Sequence, residues 1–203
     1  MRLVVITDRR LADPVAGLPA ILAAAPRGAV AVQVREKDLD GGPLHALVRA
    51  VIAIARPAGA AVWVNDRADV ALAAGADGVH LPERGLAIDD IHGLAIGCSR
   101  HSADDALAAA RAGASLVQLG PIWPTPGKDA PLGPGVLAIR RALPPTTRLV
   151  AVGGIDRPER AREAAAAGAD AVAVIRAAWT GGDPARAIAA LIAGVDAGLH
   201  DRS

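Results

Sequence analysis

Short runs of Val, Ile, Leu and Ala recur along this chain, each followed by a longer Ala- and Leu-rich stretch before the next run begins. A strand buried on both faces is apolar throughout, and a parallel neighbour is reached only by a long crossover, so this rhythm calls for a parallel sheet covered by helices. Eight runs fit the pattern: Leu3 to Thr7, Val30 to Val34, Ala61 to Val64, Gly78 to Leu81, Ala95 to Cys98, Leu116 to Leu119, Leu149 to Val152 and Ala171 to Ile175. A length of 203 residues is near the lower end for an eight-fold barrel and too short for two ordinary α/β domains. The expectation is α/β: a single (β/α)8 TIM barrel, one domain over residues 1–203, with short loops.

Between the runs, Leu44 to Ala55, Ala103 to Ala112, Arg157 to Ala167 and Pro184 to Ala193 space apolar residues for helices. Ser102 before Ala103-Asp104-Asp105, and Asp156 before Arg157-Pro158-Glu159, read as capped helix starts. Ala-Gly-Ala-Asp at Ala74 to Asp77 and Ala167 to Asp170, with Ala-Gly-Ala-Ser at Ala112 to Ser115, reads as a helix end turned by a left-handed Gly into the next strand. These turns mark the barrel face opposite the active mouth and serve stability.

Composition narrows the classes of function. The chain is 52% hydrophobic and 21% charged, with no Phe or Tyr and three Trp, so the core must be aliphatic. The formal net charge is +1 and the basic residues are scattered, which excludes the electrostatic footprint of a nucleic-acid binder. A lone Cys98 forms no internal disulfide and favours a reducing compartment. No apolar stretch of membrane-spanning length occurs. These features predict a cytoplasmic protein with a small-molecule partner; nothing in them fixes the oligomeric state, and a homodimer is allowed.

Barrel enzymes place their chemistry at the carboxyl ends of strands, and polar clusters fall there. Gln33, Arg35 and Lys37 share one face by strand alternation and point to an anion site, against the alternative of a solvated loop with a surface ion pair. Asp66 in Asn65-Asp66 reads either as a helix cap or as a ligand to substrate or metal. His80, with Glu83 beyond it, reads as a structural or a functional histidine. Ser99 and His101 follow strand five, and His101 is the candidate acid/base because imidazole titrates near neutrality; Cys98 reads as a buried small hydrophobe. Gly153-Gly154-Ile155 after strand seven and Ile175-Arg176 after strand eight sit where the fold usually binds phosphate. The Pro/Gly-rich stretch from Pro121 to Pro134 is a long loop and a lid candidate.

Taken together, these pieces resemble the thiamin phosphate synthase and TenI (thiazole tautomerase) superfamily over nearly the whole chain. The matching motifs are Thr7-Asp8-Arg9, Gln33 to Lys37, Asn65-Asp66-Arg67, Ala76 to Leu81, Ser99 with His101, Gly120 to Thr125 with Lys128, and Gly153 to Ile155. Two departures resemble the TenI branch. Where the synthase pattern places a second magnesium-binding Asp this chain has Gly85, and where it reads Pro-Thr-x-Thr-Lys the chain reads Pro124-Thr125-Pro126-Gly127-Lys128.

The resemblance to TenI implies a tautomerase acting on a phosphorylated thiazole carboxylate without a cofactor. It would use His101, with His80 in reserve, for proton transfer. Gln33, Arg35, Lys37, Asn65, Ser99, Thr125 and Lys128 would bind substrate, and Gly153, Gly154, Ile175 and Arg176 its phosphate. The synthase alternative implies magnesium held by Asp66 and Glu83, and the transfer of a pyrimidine diphosphate to the thiazole. A non-catalytic regulatory barrel that binds a phosphorylated ligand is the third reading. Arg176 stands where a small hydroxyl residue is common in the synthase.

Overall fold

The computed structural model describes residues 1–127 and 130–202. Parallel strands β1 (Leu3–Ile6), β2 (Val30–Val34), β3 (Ala61–Asn65), β4 (Gly78–Leu81), β5 (Ala95–Arg100), β6 (Leu116–Leu119), β7 (Arg148–Val152) and β8 (Ala171–Val174) pair in chain order. β8 returns to β1 in the register Leu3↔Val172 to Val5↔Val174, which closes the expected (β/α)8 barrel. The helices are α1 (Pro14–Ala23), α2 (Gly41–Ala55), α3 (Ala68–Ala74), α4 (Ala103–Arg111), α5 (Pro158–Ala167), α6 (Arg176–Trp179) and α7 (Pro184–Asp201). Two crossovers depart from the repeat. β4 and β5 are joined through a single 3₁₀ turn, Ile88–Asp90, because Pro82, Gly85 and Gly93 leave no uninterrupted stretch able to nucleate a helix. Between β6 and β7 a 3₁₀ helix, Pro134–Ala142, takes the place of an α-helix.

Strand alternation divides the core in two. Val5, Val32, Val64, Leu81, Leu119 and Val172 pack outward against the helices, while Val4, Ile6, Ala31, Leu116, Val150, Ala171 and Ala173 fill the barrel interior with Trp63. Trp63 fits because β4 and β5 present Gly78 and Gly97 beside it: a Cβ at Gly78 would stand 2.5 Å from the indole. Continued toward the carboxyl ends, the same alternation turns Gln33, Asn65, His80, Ser99 and Gln118 inward, in the registers Asn65↔His80 and Ser99↔Gln118. The interior is therefore apolar at one end and polar at the mouth.

At the opposite end the Ala-Gly-Ala turns behave as expected, with Gly75, Gly113 and Gly168 at φ 72°, 102° and 139°. The residue closing each turn serves the neighbouring strand. Asp77 and Asp170 accept the amides of Val62 and Leu149 at 2.7 and 3.0 Å, and Ser115 donates to the Ile96 carbonyl at 3.1 Å. Ser102 caps α4 by accepting from the Asp105 amide at 3.1 Å. Asp156 does not cap α5, contrary to the sequence reading: Arg157 occupies the cap position without a side-chain bond, and the Asp156 carboxylate is drawn instead to the guanidinium groups of Arg157 and Arg160. No helix among the described residues is long and apolar enough to cross a membrane.

Candidate active site

The mouth is assembled around the turn after β7. Gly153 and Gly154 adopt φ 96° and 71°, a region L side chains rarely enter, and the β6 loop lies directly on them. Ile122 and Trp123 donate their amides to the carbonyls of Val152 and Gly153 at 2.9 and 3.1 Å, and a Cβ at Gly153 would stand 2.7 Å from the Pro121 backbone. Arg160 reinforces the turn by donating to the Gly154 carbonyl at 2.5 Å while its guanidinium lies 5.6 Å from the Trp123 ring centroid. With the carbonyls so engaged, the amides of Gly153, Gly154 and Ile175 donate to no carbonyl or side chain among the described residues. These groups border a cavity of about 490 Å³, into which Arg160, Arg176 and Thr125 also face. A cluster of unspent amides beside arginines is a site for an anion.

A second cavity of about 210 Å³ opens beside it, lined by Gln33, Arg35, Lys37, Asn65, Ser99 and His101, and sharing Thr125, Val152, Gly153 and Ile175 with the first. Its floor is a directional amide chain. Gln118 donates to Gln33 at 2.7 Å and Gln33 donates to Asn65 at 3.2 Å, which leaves the Gln118 carbonyl oxygen and the Asn65 amide nitrogen to meet a ligand. Arg35 is set by its own amide, which donates to the buried Thr7 hydroxyl at 3.0 Å. The expected convergence of Gln33, Arg35 and Lys37 is thus the observed one. Glu36, pointing the other way, is buried and accepts the Arg9 amide, so it forms no ion pair with the Arg35 and Lys37 face.

The histidines separate. His101 lines the polar lobe, and its Nδ1 meets the Gly120 carbonyl; since a carbonyl only accepts, Nδ1 carries hydrogen and the neutral ring presents Nε2 as a base. His80 is 1% exposed and does not line the mouth, so its reserve role as a proton-transfer residue is corrected. Its Nε2 lies 2.8 Å from the Ser99 hydroxyl, which it orients. Burial, then the positive charges of Arg100 and Arg35, push its pKa down to about 3. Between roughly pH 6.5 and 3 the unfolded chain therefore binds a proton that the folded chain does not, and stability falls with falling pH by roughly 1 kcal/mol per unit. His80→Asn is expected to flatten that slope in urea unfolding at pH 7 against pH 5; equal slopes would mean that His80 titrates in the folded protein. Cys98 is buried, and burial pushes its thiol up to about 11, which makes it inert as read.

Asp66 does not cap α3, whose cap position is held by Arg67 without a side-chain bond. It sits instead at φ 66°, exposed, its carboxylate accepting no hydrogen bond among the described residues. A Cβ at Gly85 would stand 3.2 Å from its Oδ1, so the absent second carboxylate would have been its immediate neighbour. Among the described residues no three His, Cys, Asp or Glu side chains gather for a metal. Glu83 borders the polar lobe and Asp66 offers an exposed carboxylate; so few acidic donors fit a magnesium ion that takes most of its oxygens from phosphates and water, and do not fit a closed protein cage. Lys128 lies outside the described residues. Sequence reading missed Gln118 and Arg160. The signal for Gln118 was available, a lone amide inside an apolar strand as at Gln33; Arg160 reads as an ordinary helix-surface residue.

A closed parallel barrel whose mouth carries two confluent lobes, one bordered by free backbone amides and arginines and one lined by polar side chains, is a (β/α)8 barrel with a candidate site for a small anionic ligand. Comparison with known proteins then gives the family: residues 3–178 match the thiamine monophosphate synthase model, and the chain belongs to that family. A putative thiamine-phosphate synthase of Geobacter sulfurreducens is 40% identical, covering 94% of this chain and 93% of its own. The thiamine-phosphate synthase of Anaeromyxobacter dehalogenans is also 40% identical over 94% of this chain and 87% of its own. Among solved structures, thiamine phosphate pyrophosphorylase of Pyrococcus furiosus superposes with a TM-score of 0.87 at 33% identity, covering 98% of this chain and 96% of the other. The superfamily resemblance is therefore shown, whereas the lean toward the TenI branch gains no support from these names.

Proposed function

We propose that this chain, acting as one domain in the cytoplasm, is a thiamin phosphate synthase that joins a phosphorylated thiazole to hydroxymethylpyrimidine diphosphate. The observation that carries this reading is the pair of confluent lobes, since a transfer between two phosphorylated substrates needs two ligands held face to face and an isomerisation needs one. The names of the relatives support it. In this reading the amides of Gly153, Gly154 and Ile175, with Arg176, hold the thiazole phosphate. Gln33, Asn65, Ser99 and Gln118 fix the ring plane, with Thr125 on the wall between the lobes. Arg35 and Lys37, with Lys128, offset the diphosphate charge. The bond from the pyrimidine methylene carbon to the diphosphate oxygen breaks, that oxygen leaves with the electron pair, and the thiazole nitrogen bonds to the carbon. Cations fixed beside the leaving oxygen stabilise the charge that develops there. Magnesium, when bound, would add positive charge at the diphosphate, with Asp66 and Glu83 the carboxylates available to hold it.

A second reading, tautomerisation of a phosphorylated thiazole carboxylate, is favoured by Gly85 beside Asp66 and by the Nε2 that His101 presents to the mouth. Arg35 and Lys37 would then pair the substrate carboxylate and His101 would move the proton. One assay separates the readings. Purified protein given both phosphorylated substrates is expected to form thiamin phosphate at a rate that rises with added magnesium. Conversion of the thiazole carboxylate tautomer without any thiamin phosphate would overturn the synthase and select the isomerase; turnover of neither would leave the non-catalytic binding barrel.

A further inference from the structure

Arg176 follows β8 and faces the larger lobe together with Gly153, Gly154 and Ile175. The other charged side chains there are already matched. Arg160 is bound to Asp156 and to the Gly154 carbonyl, and Asp8 is held by Arg10 at 2.8 Å. Arg176 differs from them: its Nη2 donates to the neutral Thr125 hydroxyl at 3.1 Å, and no carboxylate pairs with it among the described residues. A guanidinium carries five donors in a rigid fork, so the bond to Thr125 leaves most of them free to grip an anion. Thr125 in turn borders both lobes.

We propose that Arg176 is a specificity-determining residue of this chain, its guanidinium joining the Gly153, Gly154 and Ile175 amides around the phosphate site so that the site takes a phosphomonoester dianion. The inference rests on the reading above that this lobe holds phosphate.

Calorimetric titration with inorganic phosphate tests this on the intact chain and on Arg176→Ser, Arg176→Lys and Thr125→Val. Arg176→Ser is expected to weaken phosphate by about tenfold or more, and Arg176→Lys to recover part of that loss, because an ammonium supplies charge without the fork. Thr125→Val is expected to change phosphate affinity less than about threefold, since a neutral hydroxyl contributes little beside a charged donor. Arg176 is exposed, so the thermal midpoint without phosphate should be unchanged in both Arg176 variants. Wild-type affinity in Arg176→Ser would overturn the proposal and leave the phosphate site standing. Equal losses in Arg176→Ser and Thr125→Val would overturn it too, by showing that the arginine acts only through the loop. Failure of the unaltered protein to bind phosphate would instead remove the reading on which the proposal rests.

Discussion

Gly198→Ala is expected to lower the thermal midpoint by roughly 4–8 °C, although the same exchange in most helices is stabilising. Gly194 and Gly198 lie four residues apart on one face of α7, where the helix packs against α5. A Cβ at Gly198 would stand 2.2 Å from the Arg162 carbonyl oxygen, and one at Gly194 would stand 2.4 Å from that of Pro158. Both obstacles are backbone, so no side-chain rotation relieves them and the helices must separate. Ala gains about 1 kcal/mol over Gly from helix propensity, whereas overpacking costs about 1–3 kcal/mol, and an obstacle made of backbone puts this site at the upper end, so the clash decides the sign. Gly42→Ala in α2 is the control, since a Cβ there meets nothing within 4 Å and should be neutral or slightly stabilising. Differential scanning calorimetry of the two variants tests the pair; a midpoint for Gly198→Ala at or above that of the parent would show that α7 is free to shift.

The barrel was legible because its strands are apolar on both faces. In β2, β4, β6 and β8 every residue is buried, so runs of Val, Leu and Ala, broken only by Gln33, Gly78, His80 and Gln118, mark them without reference to any partner. The turn that borders the larger lobe was legible for a related reason: Gly153 and Gly154 interrupt the chain just past an apolar strand, at the end of the barrel where the fold places its ligand sites. What the chain did not disclose is contact across distant segments. Whether His80 meets substrate depends on Ser99 standing 2.8 Å in front of it, nineteen residues later. The fate of Asp156 turned on competition, because an aspartate followed by two nearby arginines has partners better than a helix amide. Arg160 acquired its place only once the β6 loop brought Trp123 beside the turn after β7, whose Gly154 carbonyl it also binds.

Gly153→Ala is expected to weaken inorganic phosphate by roughly 10- to 100-fold, because a hydrogen bond to a charged group is worth about 1.5–3 kcal/mol. At φ 96° an L side chain carries strain of about 1–3 kcal/mol, and here its Cβ would also lie 2.7 Å from both Cα and Cβ of Pro121. Pro121 has no freedom to yield, because Ile122 and Trp123 beyond it are bonded to the very turn being altered. Relief must come from rotating the Gly153 and Gly154 peptides, which turns away the unspent amides that face the anion. Gly181→Ala separates strain from site, for Gly181 is also at positive φ, 125°, yet has nothing within 4 Å of an added Cβ and borders neither lobe. It should lose stability on the order of 1 kcal/mol and keep its phosphate affinity. If Gly153→Ala titrated like the parent protein, phosphate would have to be held by side chains alone, and the two-lobe account of substrate binding would lose its anchor.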